Sequence, residues 1–337
     1  MSQSRVSQSR LFPRGLSAPL RRVLGALLAA VAIIAVVTAC SSDDSLEQSG
    51  PTREYRDASG ATVAIPEKPT KIVTLSEISL DGALALDVTP VGTTSARGQE
   101  KAPAYLGERA ATIPIVASSG SPNLQQILKL RPDLILVDDT TGARNSIAEL
   151  TKIAPTVLVG RYADGWEKYF AAMADVLNRP TEHDRVVAQI NQQVATTRAA
   201  VTARKPADRQ LTASVVRWTA GSPTLVGAPS LSAWALEQVG MTRPASQQSI
   251  NSQNRSGQHV SLENLDLIDA DYIFFGALAG KDQAARDLAA ARNLPGFSAL
   301  GAARANHIYP VDGVPWTSAS GPLGVELILN DIAEAMR

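Results

Sequence analysis

Short runs of aliphatic and β-branched residues alternate along the chain with stretches whose apolar positions recur every three or four residues. Lys71-Ile72-Val73-Thr74-Leu75 is the first compact run, and Leu80, Leu84 and Leu86 behind it fall at helical spacing. Val88 to Thr93 reads as extended, and so does Ile113 to Val116, shortened by Pro114. Asn123 to Leu130 predicts a helix on Leu124, Ile127, Leu128 and Leu130, stopped by Pro132. Leu134 to Val137 reads as a buried strand, Ile147, Leu150 and Ile153 as a helix, and Thr156 to Val159 as another strand. Such alternation predicts a mostly parallel sheet flanked by helices.

The middle of the chain breaks this rhythm. Asp164 and Glu167 are spaced as a capping box for a helix through Trp166, Phe170, Met173, Val176 and Leu177. After Pro180 a second helix opens at Thr181, with Val186, Val187, Ile190, Val194 and Ala195 at helical spacing up to about Ala203. That helix of about 22 residues would be roughly 33 Å long, enough to span two α/β halves. The α/β pattern then resumes. Leu211 to Trp218 and Thr224 to Val226 predict strands, and Leu231 to Val239 a helix ended by Gly240. Leu262 to Ile268 predicts a helix, Tyr272 to Phe275 a strand, Ala284 to Ala291 a helix, His307 to Val311 a strand and Leu323 to Met336 a closing helix. The halves are comparable, with no fixed-period repeat.

The first 39 residues differ in kind. Arg5, Arg10, Arg14, Arg21 and Arg22 precede an uncharged apolar run from Leu24 to Ala39, and Cys40, the sole cysteine, follows Val37-Thr38-Ala39. A basic segment, a short apolar run and small residues before a cut describe an export signal. The run falls short of the roughly 18 to 20 apolar residues of a spanning helix. The segment resembles a bacterial lipoprotein signal. That resemblance implies lipidation of Cys40 as the first mature residue and a protein hung from the membrane on its extracytoplasmic face by acyl chains. Arg21-Arg22 leaves the choice between general and twin-arginine export open. Ser41 to Thr52 has nothing to bury and reads as a tether. The expected organisation is a signal at 1–39, a tether at 40–53, an N-terminal lobe at 54–162, a helical linker at 163–203 and a C-terminal lobe at 204–337. The full chain has 32 basic and 32 acidic residues, and loss of the five signal arginines leaves 27 against 32. That balance gives no reason to expect nucleic acid as a partner.

Five segments, in order, carry a further resemblance. KIVTLSEISLDGALALDVTPVGTT (71–94), SPNLQQILKLRPDLILV (121–137), ELTKIAPTVLV (149–159), VSLENLDLIDADYIFF (260–275) and VPWTSASGPLGVELILNDIA (314–333) are similar to the landmarks of cluster-A substrate-binding lipoproteins. These are the binding components of ABC importers for ferric siderophores, vitamin B12 and haem. The resemblance covers about 53–337. It implies two Rossmann-like α/β lobes joined by a single long linker helix, with the ligand cleft between the lobes. The implied ligand is a ferric siderophore, whose own donors fill the iron's coordination sphere, so neither a protein metal ligand nor a cofactor is expected. The implied partner is an ABC permease with its cytoplasmic ATPase, served by a monomer.

Siderophore binders of this kind often place arginines and aromatics in the cleft, where guanidinium groups meet chelate oxygens and aromatic rings cover apolar parts. Arg217-Trp218 at the end of VVRW is the leading pair, because ligands bind at the carboxyl ends of parallel strands. Arg97 occupies the matching place in the first lobe. Trp316 resembles a tail tryptophan bordering the cleft. Tyr105, Arg144, Tyr162 and Trp234 are further candidates, while Trp166 reads as packing and Trp234, on an amphipathic helix, reads better as core. For docking, Glu263 matches an acidic position of the second lobe, whereas Gln125 stands where relatives often carry glutamate. Glu108 or Glu149 is the available substitute.

Enzyme readings find little support. The chain lacks a G-x-S-x-G elbow and an S-x-x-K pair. His183, His259 and His307 are far apart and lack metal-ligand spacing. A cell-surface hydrolase is the remote alternative. Haem or vitamin B12 is the nearer one: Tyr105, Tyr162 or His259 could serve as an axial ligand, but only 15 aromatic residues are present for a cobalamin pocket.

Overall fold

The computed structural model describes residues 50–227, 230–248, 250 and 257–337. The predicted signal, Cys40 and the tether up to residue 49 lie outside the described residues. Residues 48–337 form one compact unit. No helix among the described residues is long and apolar enough to cross a membrane.

The unit opens with an antiparallel hairpin, β1 (Thr52–Arg56) and β2 (Thr62–Pro66), in which Tyr55 and Ile65 are buried. This hairpin was not predicted, and it starts inside the expected tether. The first lobe follows as β3 (Ile72–Thr74), α1 (Glu77–Ala85), β4 (Thr93–Thr94), β5 (Ile115–Ala117), α2 (Leu124–Leu130), β6 (Leu134–Val137), α3 (Ile147–Leu150) and β7 (Thr156–Leu158). Strands β3, β6 and β7 pair in parallel, as do β4 and β5. A parallel bridge from Val73 to Gly92 joins the two pieces, giving the order β5-β4-β3-β6-β7. Ser76 caps α1: its hydroxyl accepts from Ser79 N at 3.0 Å, and Ser79 Oγ accepts from Ser76 N at 3.2 Å. Every residue of α1 is buried, because the helix lies beneath the lobe junction.

The linker is a helix pair, α4 (Trp166–Val176) and α5 (Pro180–Arg204). Gly165, with φ of 82°, caps α4 without a side-chain bond, so the expected Asp164–Glu167 box does not form. Asp164 instead accepts from Arg161 N at 3.3 Å. Helix α5 has 25 residues, about 37 Å of length, and buries Val186, Ile190, Val194, Thr197 and Val201. Thr197 takes the place expected for Ala195, which is exposed.

The second lobe contains β8 (Ala213–Thr219), β9 (Ser222–Leu225), α6 (Leu231–Gln238), β10 (Gln258–His259), β11 (Tyr272–Ala277), α7 (Lys281–Ala291), α8 (Gly301–Arg304), β12 (Ile308–Asp312), α9 (Gly313–Thr317) and α10 (Pro322–Ala335). Its sheet runs β10-β9-β8-β11-β12, parallel across β8, β11 and β12 and antiparallel across β9 and β10. Leu262–Ile268 is a kinked 3-10 turn, not the predicted helix. One continuous core joins Ile72, Leu136 and Val157 of the first lobe to Phe170 and Ile190 of the linker and to Phe274, Trp316 and Ile328 of the second. Separate clusters fill the outer face of each lobe. The fold is therefore two α/β lobes that share the linker helices as a common core.

Candidate functional site

The carboxyl ends of the strands in the two lobes converge. Arg97, in the loop after β4, donates from Nη1 to Ser318 Oγ of the second lobe at 3.1 Å. Gln99 Nε2 donates to the Leu278 carbonyl at 2.8 Å, and Tyr162 Oη, after β7, to the Ser318 carbonyl at 3.3 Å. The lobes approach so closely here that a Cβ at Gly98, φ +72°, would lie 2.9 Å from Leu278 Cβ. These loops form the floor of the cleft.

Arg97 is fixed by a carboxylate that sequence reading did not single out. Glu77 is fully buried at the start of α1; its Oε1 accepts from Arg97 N and its Oε2 from Arg97 Nη1, both at 2.9 Å. Burial raises the Glu77 carboxyl above its ordinary range, and the Arg97 charge and amide pull it only part of the way back. Arg97 Nη2 donates to the Thr140 carbonyl, so the guanidinium ties β4, β6 and the second lobe together. Beneath it Asp138, raised by burial, accepts from Ser76 Oγ, from Thr140 N at 2.8 Å and Oγ1 at 2.6 Å, and from Tyr169 Oη at 3.1 Å.

Arg217, on β8, is the second cation of this floor. Its Nε donates to Thr317 Oγ1 at 3.1 Å and its Nη2 to the Thr317 carbonyl. Burial, and next the charge of Arg97, lower its pKa, and no carboxylate among the described residues opposes them. Two guanidinium groups thus repel each other in a half-buried cleft, where Glu77 pairs with Arg97, Asp138 lies beneath and Asp139 accepts from Tyr162 N at 2.8 Å. Such a floor favours an anionic, oxygen-rich ligand.

The aromatic expectations are corrected in part. Trp218 is 5% exposed and packs on Phe275 at 4.9 Å in the outer core of the second lobe. Side chains alternate along a strand, so Arg217 and Trp218 cannot share a face. Trp316 is fully buried, stacked on Phe274 at 4.2 Å, and its indole N–H donates to Asp331 Oδ2 at 2.8 Å. It is the neighbouring Thr317 and Ser318, not the indole, that meet the arginines. Tyr105 donates to Asp81 Oδ2 at 2.6 Å. Asp81 also accepts from Leu323 N at 2.9 Å and Gly324 N at 3.0 Å, which makes it a strap between α1 and α10. Tyr162 borders the floor through Ser318, and Arg144 is exposed on the turn that follows β6. Among the three axial candidates for haem, Tyr105 and Tyr162 have their hydroxyls engaged as described, and His259 Nε2 lies 3.1 Å from Ser222 Oγ. Gln125 and Glu263 are exposed on α2 and on the Leu262–Ile268 turn, one on each lobe.

Two concavities accompany the floor. An open groove of about 650 Å³ runs past Ser95, Glu100, Ser118 and Asn123 at the ends of β4 and β5. A smaller cavity of about 140 Å³ is lined by Ile78, Tyr162, Trp166, Leu231, Trp234 and Ser320, among others, where α1, α4 and α6 meet.

The family model described as periplasmic binding protein matches residues 72–315. The chain is 27% identical over 310 residues, 89% of its length and 93% of the relative's, to the probable siderophore-binding lipoprotein YfiY of Bacillus subtilis. It is 28% identical over 305 residues, 88% of its length and 91% of the relative's, to the Fe(3+)-citrate-binding protein YfmC of the same organism. The crystal structure of Staphylococcus aureus SirA complexed with staphyloferrin B superposes with a TM-score of 0.69 at 24% identity, covering 84% of this chain and 98% of that one.

Proposed function

Because the chain belongs to the periplasmic binding protein family, a family of solute-binding proteins and not of enzymes, we propose that it is the extracytoplasmic binding component of an ABC importer, that it captures a ferric siderophore, and that it hands this ligand to the permease for iron uptake. The observation that carries the reading is the pair Arg97 and Arg217 on the cleft floor, one guanidinium paired with Glu77 and the other with no carboxylate among the described residues. A ferric chelate presents several anionic oxygens on one compact body. Arg217 offers a guanidinium that no carboxylate of the described residues occupies, and Arg97, held rigid by Glu77, adds a fixed charge. Arg144, exposed on the turn after β6, would add a further cation. Relatives named for siderophores and for ferric citrate support an oxygen-rich iron complex as the ligand class.

The anchor and the docking contacts belong to the same reading. Lipidation at Cys40 would hold the unit at the membrane surface. Glu263 on the second lobe would meet a cation of the permease, while Gln125 leaves the first lobe without an equivalent charge unless Glu108 or Glu149, both exposed, takes its place. The test is titration of the purified chain with a panel of ferric siderophores, haem and cobalamin, followed by tryptophan fluorescence. Saturable quenching by at least one ferric siderophore is expected. Binding of haem or cobalamin with no response to any ferric chelate would refute the proposal.

A further inference from the structure

The two lobes share an internal frame that aligns Gln125 with Glu263. In each lobe an aspartate directly precedes the strand that pairs with the lobe's first parallel strand, and it bonds the threonine that leads into that first strand. Asp133, before β6, accepts from Thr70 N and Oγ1, both at 2.8 Å, and from Lys71 N at 3.0 Å. Asp271, before β11, accepts from Thr212 N at 2.8 Å and from Thr212 Oγ1 at 2.9 Å. The segments ahead of these aspartates therefore hold equivalent places. Gln125 stands eight residues before Asp133, and Glu263 eight before Asp271. Leu128 and Asp266 correspond in the same way, five residues ahead. Ile127 and Leu265, which also correspond, are both buried, so the two segments keep the same side inward. All four of Gln125, Leu128, Glu263 and Asp266 are exposed.

The outward faces nevertheless differ in charge. From Ser121 to Arg131 the first lobe has Lys129 and Arg131, both exposed, and no acid. From Val260 to Asp271 the second has four acids and no base. Asp269 is spent on the amides of Gly301 and Ala302 and Asp271 on Arg209, which leaves Glu263 and Asp266 to face outward. Leu128 is 50% exposed and Leu262 41%, the two large apolar side chains exposed among the described residues, one beside each docking position. Lys129 stands in the last turn of α2, where a cation suits the helix end. Leu128 has no such local reason to be outside. A partner that offered one basic surface to both lobes would gain two carboxylates from the second and meet an uncharged pair and two like charges on the first. We propose that the lobes dock on non-identical faces of the permease, Glu263 and Asp266 on a basic face, Gln125 and Leu128 on an uncharged and partly apolar one, so that the chain sits on its importer in a single orientation. This rests on the importer reading in one respect, that the partner is a permease.

The experiment has two arms. In the first, uptake of radioactive ferric citrate and of a radioactive ferric catecholate is measured in cells where each variant replaces the wild-type copy, beside the affinity of the purified variant for the same complexes. Gln125→Glu combined with Leu128→Asp copies the second lobe onto the first. Uptake should fall about tenfold or more at unchanged ligand affinity, because the new carboxylates lose water with no cation opposite them. Glu263→Gln combined with Asp266→Leu should lower uptake about two- to fivefold for each exposed ion pair lost. Uptake that holds or rises in the first variant would overturn the proposal, since a permease with two equal basic faces gains contacts from it. So would a loss in Glu100→Gln, Glu108→Gln or Glu149→Gln as large as that in Glu263→Gln, for the first lobe would then dock through an acid of its own. In the second arm a photo-crosslinker, p-benzoylphenylalanine, replaces Leu128 in one strain and Leu262 in another, and the captured peptides are sequenced. Two different permease sequences are expected, on separate chains or on two halves of one. The same peptide from both positions, or no peptide from Leu128, would overturn the proposal. Two different permease sequences captured by a chain that carries neither ferric complex would sink the siderophore reading and leave the asymmetric docking standing.

Discussion

Replacing Arg217 by alanine tests the cleft floor most directly. Two edges of its guanidinium, Nε and Nη2, are bound to Thr317, and this anchoring fixes the plane of the fork. The Nη1 edge has no bond to any described residue and is the one available to a chelate oxygen. A hydrogen bond to a charged group contributes about 1.5 to 3 kcal/mol, so its loss should raise the dissociation constant of an anionic ferric siderophore by about 10- to 100-fold. Stability should respond weakly. The variant loses two bonds to Thr317, each about 1 kcal/mol net, but it also removes a half-buried cation that Arg97 repels. The two effects oppose each other, and a melting-temperature change of no more than about 2 to 4 °C is expected. Arg217→Lys should restore only part of the affinity, because a point charge cannot hold Thr317 and an oxygen in one plane. Fluorescence titration serves as the assay, with Trp166 and Trp234 as reporters, since both line the cavity beside the floor. Unchanged affinity for every ferric siderophore that wild type binds would remove Arg217 from the site. A drop in melting temperature above about 10 °C would make it a structural arginine instead.

Four further outcomes are expected. Trp316→Ala should cost about 3 to 5 kcal/mol of stability by chemical denaturation, since it empties a fully buried position and leaves Asp331 without its indole donor; a stable variant with altered ligand affinity would return Trp316 to the cleft. Burial holds the Asp81 carboxyl at about 6, above the ordinary value of about 4, so its contribution to stability is complete below pH about 4 and is lost as pH rises through about 6. The stability of wild type relative to Asp81→Asn should therefore grow by up to about 3 kcal/mol as pH falls from 7 to 4, and a flat difference would contradict the shift. Glu263→Arg should reduce siderophore-driven iron uptake while ligand affinity stays at the wild-type value, and equal uptake would place docking elsewhere. Cys40→Ser should abolish partitioning into the detergent phase; a variant that partitions like wild type would exclude lipidation.

Period and punctuation made most elements readable. Strand β6 is a continuous aliphatic run between Pro132 and Asp138, and α5 repeats its buried positions every three or four residues. Short, polar or kinked elements were harder. The hairpin β1–β2 is short and polar, though Tyr55, Val63 and Ile65 alternate and Asp57 to Gly60 has turn chemistry; that signal was present and weak. The Leu262–Ile268 segment has the same composition as a helix but kinks at Asn264. Arg97 and Arg217 could be placed at strand ends by position alone. Glu77 could not be, because its role depends on a loop 20 residues away folding back over the start of α1. Trp218 was misplaced by reading it together with its neighbour, although strand alternation separates them.

The arrangement of straps bears on how such a cleft works. Buried apolar contacts run unbroken from the first lobe through α4 and α5 into the second, so a large opening would tear a single core and not a hinge loop. Asp81 adds a polar tie, holding two amides at the start of α10 and the Tyr105 hydroxyl; the approach is so close that a Cβ at Gly321 would lie 2.6 Å from Asp81 Oδ1. Arg97, Gln99 and Tyr162 add three more cross-lobe bonds at the floor itself. A junction with this many fixed contacts leaves little freedom to give up on binding, and the conformational cost of capture falls accordingly. The repulsion between Arg97 and Arg217 then has a use. The junction holds the two groups in place against it, and an anionic ligand that met both would relieve it. Affinity in such a site would come from charge already held in place.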